Sequence, residues 1–131
     1  MFHRKINRSV NLSAEKIVLS LPFAPSINRL WRVGKGKKIY KSRVYEDWIA
    51  ECQVVIFQAK AIPVLGKYKL TIEAVRPDKR RRDVDNLIKA VSDVLESTGL
   101  IENDCLCEEV IARWVEHGPP MLVTVEKVNE L

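Results

Sequence analysis

Residues 67–99 constrain the fold most. There a period-two pattern gives way to a basic run and then to a period-3.6 pattern. Tyr68, Leu70, Ile72 and Ala74 alternate with Lys67, Lys69, Thr71 and Glu73, which predicts a strand over residues 67–75 with one buried face and one wet face. Val84, Leu87, Ile88, Val91, Val94 and Leu95 recur at helical intervals, and Gly99 follows. This predicts an amphipathic helix over residues 84–97. A strand and a helix of this kind must bury their apolar faces together. A second helix is predicted over residues 43–60. Ser42 is its cap, Val44, Trp48, Ile49, Cys52, Val55 and Ile56 form its apolar stripe, and Pro63 and Gly66 lie beyond its end. Further strands are predicted at residues 16–22, near 37–41, at about 106–116 and at 121–128, the last two joined by Gly118-Pro119-Pro120. The order β(β)αβαββ lacks regular βα alternation, so the expected class is α+β, a small mixed sheet with two main helices.

At 131 residues and 47% hydrophobic, the chain can bury one core but not two. Residues 15–131 are expected to form a single domain, preceded by a polar, basic arm over residues 1–14. No apolar run approaches the roughly 20 residues of a membrane helix. The apolar stretch Ile17–Pro25 follows Glu15 and Lys16 and leads to no small-x-small cleavage site. A cytoplasmic protein is expected. Cys105 and Cys107 form a C-x-C rather than a metal knuckle, Cys52 lies in a helical pattern, and His3 and His117 are isolated. Reduced thiols are the expectation.

Charge is strongly asymmetric. Residues 1–90 hold 20 Lys/Arg against 8 Asp/Glu, a net +12, whereas residues 91–131 hold 2 against 9, a net −7. One basic cluster comprises Arg29, Arg32, Lys35, Lys37, Lys38, Lys41 and Arg43, with Trp31 and Tyr40 interleaved. The other comprises Arg76, Lys79, Arg80, Arg81 and Arg82 and ends on Asp83 and Asp85. A charge run alone is commonly a solvated face. Two clusters, one with aromatics and one abutting paired carboxylates, point to a polyanion, whose phosphates the cations would neutralise with release of counterions. Gly34-Lys35-Gly36-Lys37-Lys38 lacks the G-x-x-x-x-G-K-[ST] spacing of a phosphate loop, so no nucleotide cofactor is expected.

Asp83 and Asp85 flank the start of the predicted helix. Acids there are ordinary as caps and as partners of the macrodipole, with Asp83 best placed as the N-cap. Only one of the two can be that cap. A helix over residues 84–98 is about 21 Å long, and six extended residues from Gly99 to Asp104 reach about 20 Å. The return segment is therefore just long enough to bring Asp104 back beside Asp83 and Asp85. Three such carboxylates form an oxygen site suited to Mg²⁺ or Mn²⁺, and beside a polyanion groove they point to metal-assisted phosphodiester hydrolysis. Lys89 lies four residues after Asp85 and has two readings: an i,i+4 ion pair, or a lysine that reaches the scissile phosphate or attacking water. Glu73 is either a surface acid or an outer acid of the site.

The stretch from Pro77 through Arg80-Arg81-Arg82-Asp83-Val84-Asp85-Asn86-Leu87-Ile88-Lys89-Ala90, continuing to Asp93, Leu95, Gly99 and Asp104, closely resembles the RusA family of Holliday-junction resolvases. Leu21-Pro22-Phe23-Ala24-Pro25-Ser26-Ile27-Asn28 is similar to that family's opening strand and P-x-x-P-S-x-N turn. The resemblance covers roughly residues 16–128. It implies a homodimeric endonuclease that cuts four-way DNA junctions with Mg²⁺, common in bacteria and their prophages. Its catalytic aspartates fall on Asp83, Asp85 and Asp104 and its functional lysine on Lys89. The chain departs from the family by an N-terminal extension of about a dozen residues and by the composition of its loop from Arg32 to Lys41. Paired nicks leaving 5′-phosphate and 3′-hydroxyl ends are what the resemblance and the carboxylate set together imply. Two alternatives stand: a non-catalytic branched-DNA-binding phage accessory protein whose acids are helix caps, and a nuclease that also takes flaps or other branched DNA.

Overall fold

The structure, a computed structural model, describes residues 13–26, 31–33, 39–41 and 43–129. Lys35, Lys37, Lys38, Ser42 and residues 1–12 of the expected arm lie outside the described residues, and Arg32 and Lys41 are placed only through their strands. Among the described residues, six strands and two α-helices follow in the order β1 (Lys16–Leu21), β2 (Trp31–Val33), β3 (Ile39–Lys41), α1 (Arg43–Ala59), β4 (Tyr68–Ala74), α2 (Asn86–Ser97), β5 (Cys107–Trp114) and β6 (Met121–Lys127). The α+β expectation holds. The unforeseen element is β2, which pairs antiparallel with β3 so that Arg32 faces Tyr40 in register. Three residues are too few for a periodicity to appear.

The main sheet has the order β1-β6-β4-β5. β6 is antiparallel to both β1 and β4, and β4 runs parallel to β5. Consecutive β5 and β6 are therefore not neighbours; β4 lies between them. The segment joining them crosses the end of β4, where Val75 N donates to the Pro120 carbonyl at 3.0 Å and Val115 N to that of Ala74 at 2.9 Å. The reason for the central place of β4 is in its alternation: Tyr68, Leu70, Ile72 and Ala74 are wholly buried, and the intervening residues half-buried. The same alternation in β1 and β6 adds Leu19, Leu21, Met121, Val123 and Val125 to one continuous core.

Both helices contribute to that core. In α1 the buried stripe is Tyr45, Trp48, Cys52 and Ile56, so it begins at Tyr45, and Val44 is half exposed at 51%. The Trp48 indole N–H donates to the Pro22 carbonyl at 2.8 Å, tying α1 to the end of β1. The α2 stripe is Leu87, Ala90, Val91, Val94 and Leu95. Its C-terminus closes with Gly99 at φ 78°. Leu100 N donates to the Leu95 carbonyl and Gly99 N to that of Glu96, at 3.0 and 3.1 Å, the pairing of a Schellman cap.

Ser13 and Ala14 are fastened to the domain: Ala14 N donates to the Pro63 carbonyl at 2.8 Å and Leu65 N to the Ser13 hydroxyl at 3.0 Å. The three thiols are unpaired. Burial pushes the Cys52 thiol up to about 12, so it stays protonated and inert. Among the described residues, no helix is long and apolar enough to cross a membrane.

Ile72 is wholly buried in the central strand, whereas Val18, on β1, points to solvent at 53% exposure. Ile72→Ala should cost about 2–5 kcal/mol and Val18→Ala within about 0.5 kcal/mol. Urea unfolding with an unchanged slope checks this, and equal costs would contradict the assigned faces of the sheet.

Candidate nuclease site

The eleven residues between β4 and α2 carry the second basic cluster, and Asp78 organises them. Its Oδ1 accepts from Arg80 N at 3.0 Å, a local Asx-type turn. Its Oδ2 accepts from Arg80 Nε at 3.1 Å and from Arg82 Nη2 at 2.9 Å. These bonds hold the Asp78 carboxyl below its ordinary pKa, the Arg82 hydrogen bond being the largest cause. A depressed carboxylate keeps its contacts above the ordinary value and loses them only as pH falls through the lowered one. Sequence reasoning gave Asp78 no role; the signal was an Asp two residues before Arg80 and four before Arg82. The Arg82 guanidinium also lies 5.4 Å from the Phe23 ring centroid, and that of Arg76 4.5 Å from Trp114. Arg82 is thus held in place, while the Arg80 side chain is 78% exposed.

Asp83 and Asp85 follow at the mouth of α2, both exposed. The helix begins at Asn86, two residues later than the periodicity suggests, because residues 83–88 form a tight entry turn: the amides of Asn86, Leu87 and Ile88 bond to the carbonyls of Asp83, Val84 and Asp85. Asp83 is therefore not the N-cap. That position belongs to Asp85, whose side chain makes no capping bond. Neither carboxylate makes a helix-capping bond, which leaves the helix macrodipole as the structural reason for the pair. A cleft of about 500 Å³ opens beside Asp83, which lines it with Phe23, Arg80, Arg81, Arg82 and Trp114 among others.

Lys89 does not pair with Asp85. Its ammonium lies 3.5 Å from Asp93 Oδ1, and the other Asp93 oxygen accepts from the buried Tyr45 hydroxyl at 3.3 Å. Burial and the Asp93 charge raise the Tyr45 pKa, so Tyr45 is a standing donor. Lys89 is thereby held on the exposed side of α2, one turn past Asp85, by a contact weak enough to yield to a phosphate. Glu73 is the surface acid: its Oε2 receives Arg113 Nη2 at 2.7 Å across the β4–β5 register.

Asp104 is placed elsewhere. The Schellman turn at Gly99 directs the chain away from α2, Val64 N bonds to the Leu100 carbonyl, and Val64 bridges Ile101 beside the start of β4. Asp104 then opens a 3-10 turn against Glu96, whose Oε1 accepts from its amide at 3.1 Å. Cys107 pairs with Tyr68 at the first residue of β4, while Asp83 lines the cleft with Trp114, at the strand's other end. Seven strand residues span about 20 Å, so Asp104 is about that far from Asp83. The expected return beside Asp83 and Asp85 does not occur within one chain. The six residues have the reach, but the parallel pairing of β5 with β4 requires them at the foot of α2. Accordingly, the described residues contain no group of three metal-ligating side chains. Two exposed carboxylates among cations do fit a hard divalent ion, since Mg²⁺ keeps several waters and is commonly held by one or two carboxylates plus substrate phosphate.

The exposure of the arginines sets different roles for them. The double variant Arg80→Ala/Arg81→Ala should flatten the dependence of log binding constant on log salt by about two, one per lost phosphate contact. Arg82→Ala, which removes an anchored side chain, should shift the slope by less than about one. Fluorescence titration of a DNA junction over a salt series measures both, and identical slopes for all variants would show that the arginines face elsewhere.

Comparison with known proteins follows the same stretch of chain. Residues 22–126 match the family described as Endodeoxyribonuclease RusA. The crossover junction endodeoxyribonuclease of Enterobacteria phage HK97 is 36% identical over 86 residues, covering 64% of this chain and 70% of that protein. The enzyme of the same name from Aquifex aeolicus is 34% identical over 105 residues, 79% of this chain and 82% of its own. That of Escherichia coli is 36% identical over 117 residues, 85% and 94% respectively. With its paired aspartates, arginine run and β4–α2 framework inside the matched region, this chain belongs to the RusA family of endodeoxyribonucleases.

Proposed function

We propose that the chain is a structure-selective endonuclease that resolves four-way DNA junctions by paired nicks. The observation that carries this reading is the exposed pair Asp83 and Asp85 at the start of α2, not engaged as helix caps, with Asp83 lining an arginine-rich cleft. A non-catalytic binding module has no use for two uncapped carboxylates beside a phosphate-binding surface, where each repels the ligand. When bound there, Mg²⁺, or Mn²⁺ in its place, supplies Lewis-acid stabilisation of the phosphate and lowers the pKa of an attacking water. Asp83 and Asp85 are the residues that would hold it. Arg80 and Arg81 neutralise backbone phosphates, and Lys89 leaves Asp93 for the scissile phosphate and stabilises its developing charge. Water adds to phosphorus, the bond to the 3′ oxygen breaks, and the 3′ oxygen takes up a proton. The product ends are 5′-phosphate and 3′-hydroxyl.

Asp104 joins this site only from a second copy. A homodimer with two-fold symmetry that sets the start of one α2 beside the end of the other brings Asp104 of the partner subunit to Asp83 and Asp85, twice over. Each protomer then supplies two carboxylates to one site and the third to the other, and the two sites face the two continuous strands of a four-way junction.

The test is cleavage of an end-labelled four-way junction beside a linear duplex and a flap, with Mg²⁺ and with EDTA. Symmetric nicks in the junction, lost with EDTA and in Asp85→Asn while the variant still binds, are expected. Full activity in Asp85→Asn would overturn the assignment, and equal cutting of the flap would broaden the substrate. The composite site makes its own prediction. Asp83→Asn and Asp104→Asn are each inactive, yet after mixing and subunit exchange about half of the dimers are hybrids with one intact site and make single nicks. Silence of the mixture, with exchange verified by mass, would place all three aspartates in one chain.

A further inference from the structure

The cleft beside Asp83 contains an aromatic feature that phosphate binding leaves unexplained. Phe23, just after β1, and Trp114, at the end of β5, stack at 6.1 Å between centroids and 14° between planes. Each ring carries an arginine: Arg82 on Phe23 and Arg76 on Trp114. The two arginines differ. Arg82 is fixed by Asp78 at 2.9 Å, and its Nε is buried with no acceptor among the described residues. Arg76 is exposed and has no carboxylate partner among the described residues. One side of the aromatic pair is clamped, and the other is covered by a cation free to leave.

We propose that Trp114 is the platform for an unpaired nucleobase beside the scissile phosphate, and that Arg76 is its exchangeable cover. This rests on the junction-cutting reading above. An exposed cation–π contact is a weak one, and a base stacked on an indole is the stronger pairing, favourable for every base because each has a π-face. Arg76 displaced from the ring gains a backbone phosphate and a charge-assisted hydrogen bond in exchange. A duplex cannot supply the base without unstacking it. A base pair at the branch of an open junction lacks a stacked neighbour on one side, so extruding its base costs less than in a duplex. The platform therefore discriminates branched from linear DNA next to Asp83, where the choice matters, and it tolerates sequence. Trp114 also lines the cleft of about 500 Å³ that Asp83 lines, so a base that takes the place of Arg76 on the indole lies next to that cleft. Phe23 and Arg82 form its fixed wall.

The experiment is a binding cycle with uncut DNA in EDTA. Wild type and Trp114→Leu are titrated with a four-way junction, with the same junction carrying an abasic residue at each nucleotide flanking the branch, and with a linear duplex. The platform predicts about a tenfold loss in junction affinity for Trp114→Leu, the scale of a single base–aromatic stack. At one flanking position the abasic junction loses the same factor against wild type and nothing further against the variant. Duplex affinity is unchanged, and Trp114→Phe recovers most of the loss. Additive losses at every position, or an equal loss on duplex, would overturn the platform while leaving the nuclease reading intact. Should Trp114→Leu fail to fold by circular dichroism, the Trp114→Phe and Arg76→Ala variants carry the cycle. Arg76→Ala uncovers the ring and is then expected to keep the full abasic penalty, and its absence would overturn the proposal. Wild type that binds junction no better than duplex would overturn both readings.

Discussion

The parallel pairing of β4 with β5 governs everything that the site can do. Parallel neighbours cannot be joined by a tight turn, so the chain must travel from the end of β4 back to its beginning before β5 starts. α2 makes that journey, and its buried stripe covers the sheet on the way. Its two termini are therefore fixed at opposite ends of β4. The start of α2 lies with Trp114 and the arginine loop, and its end with Val64, Ile101 and Asp104. The separation of Asp104 from Asp83 and Asp85 is a consequence of topology, and no local adjustment of a loop removes it.

The same constraint sorts the charges. The loop leaving β4 can be densely basic because it lies beyond the end of that strand, where Arg76, Lys79, Arg80 and Arg81 are exposed and keep their hydration, and because Asp78 neutralises the inner arginine. The acidic half of the chain includes β5, the edge strand, whose Glu108 and Glu109 are exposed. Charge on an edge strand also discourages pairing with a foreign strand. Asp93 stands between the two regimes. It is an acid of α2 that accepts from buried Tyr45 through one oxygen and holds Lys89, one turn past Asp85, through the other.

The residues that repeat were legible in the sequence, and those that depend on a partner element were not. The alternation of residues 68–74 located the central strand to within a residue at each end, since period two over seven residues with one wet face admits little else. The stripe of α2 was equally plain. Its first turn was misread because Asp83 has the chemistry of a cap, while the tight entry turn that displaces the cap to Asp85 is set by backbone geometry that no side chain announces. The carboxylate pair, the arginine run and Lys89 stood out by composition and spacing. Asp104 shows the limit of that reasoning. Chain length gave six residues enough reach to return to the helix start, but reach is an upper bound; Gly99 and the β4–β5 pairing decided the direction. The Phe23–Trp114 stack joins residues 91 positions apart and could not be inferred from either neighbourhood alone.

A chain that divides three carboxylates between the two ends of one helix has consequences for control. Two aspartates hold a hard cation weakly, because Mg²⁺ gives up its water reluctantly and gains from each added carboxylate. On the composite reading, an isolated protomer can bind DNA through its arginines yet lacks the full ligand set, so association and metal binding become linked equilibria: each strengthens the other by the same factor. The two sites of the dimer are then complete or incomplete together. For a four-way junction this is chemically useful. One nick alone leaves a branched molecule with a broken strand, whereas two nicks from sites assembled by the same event release two duplexes. On that reading, the helix that the parallel β4–β5 pair requires also ties cleavage to dimer formation.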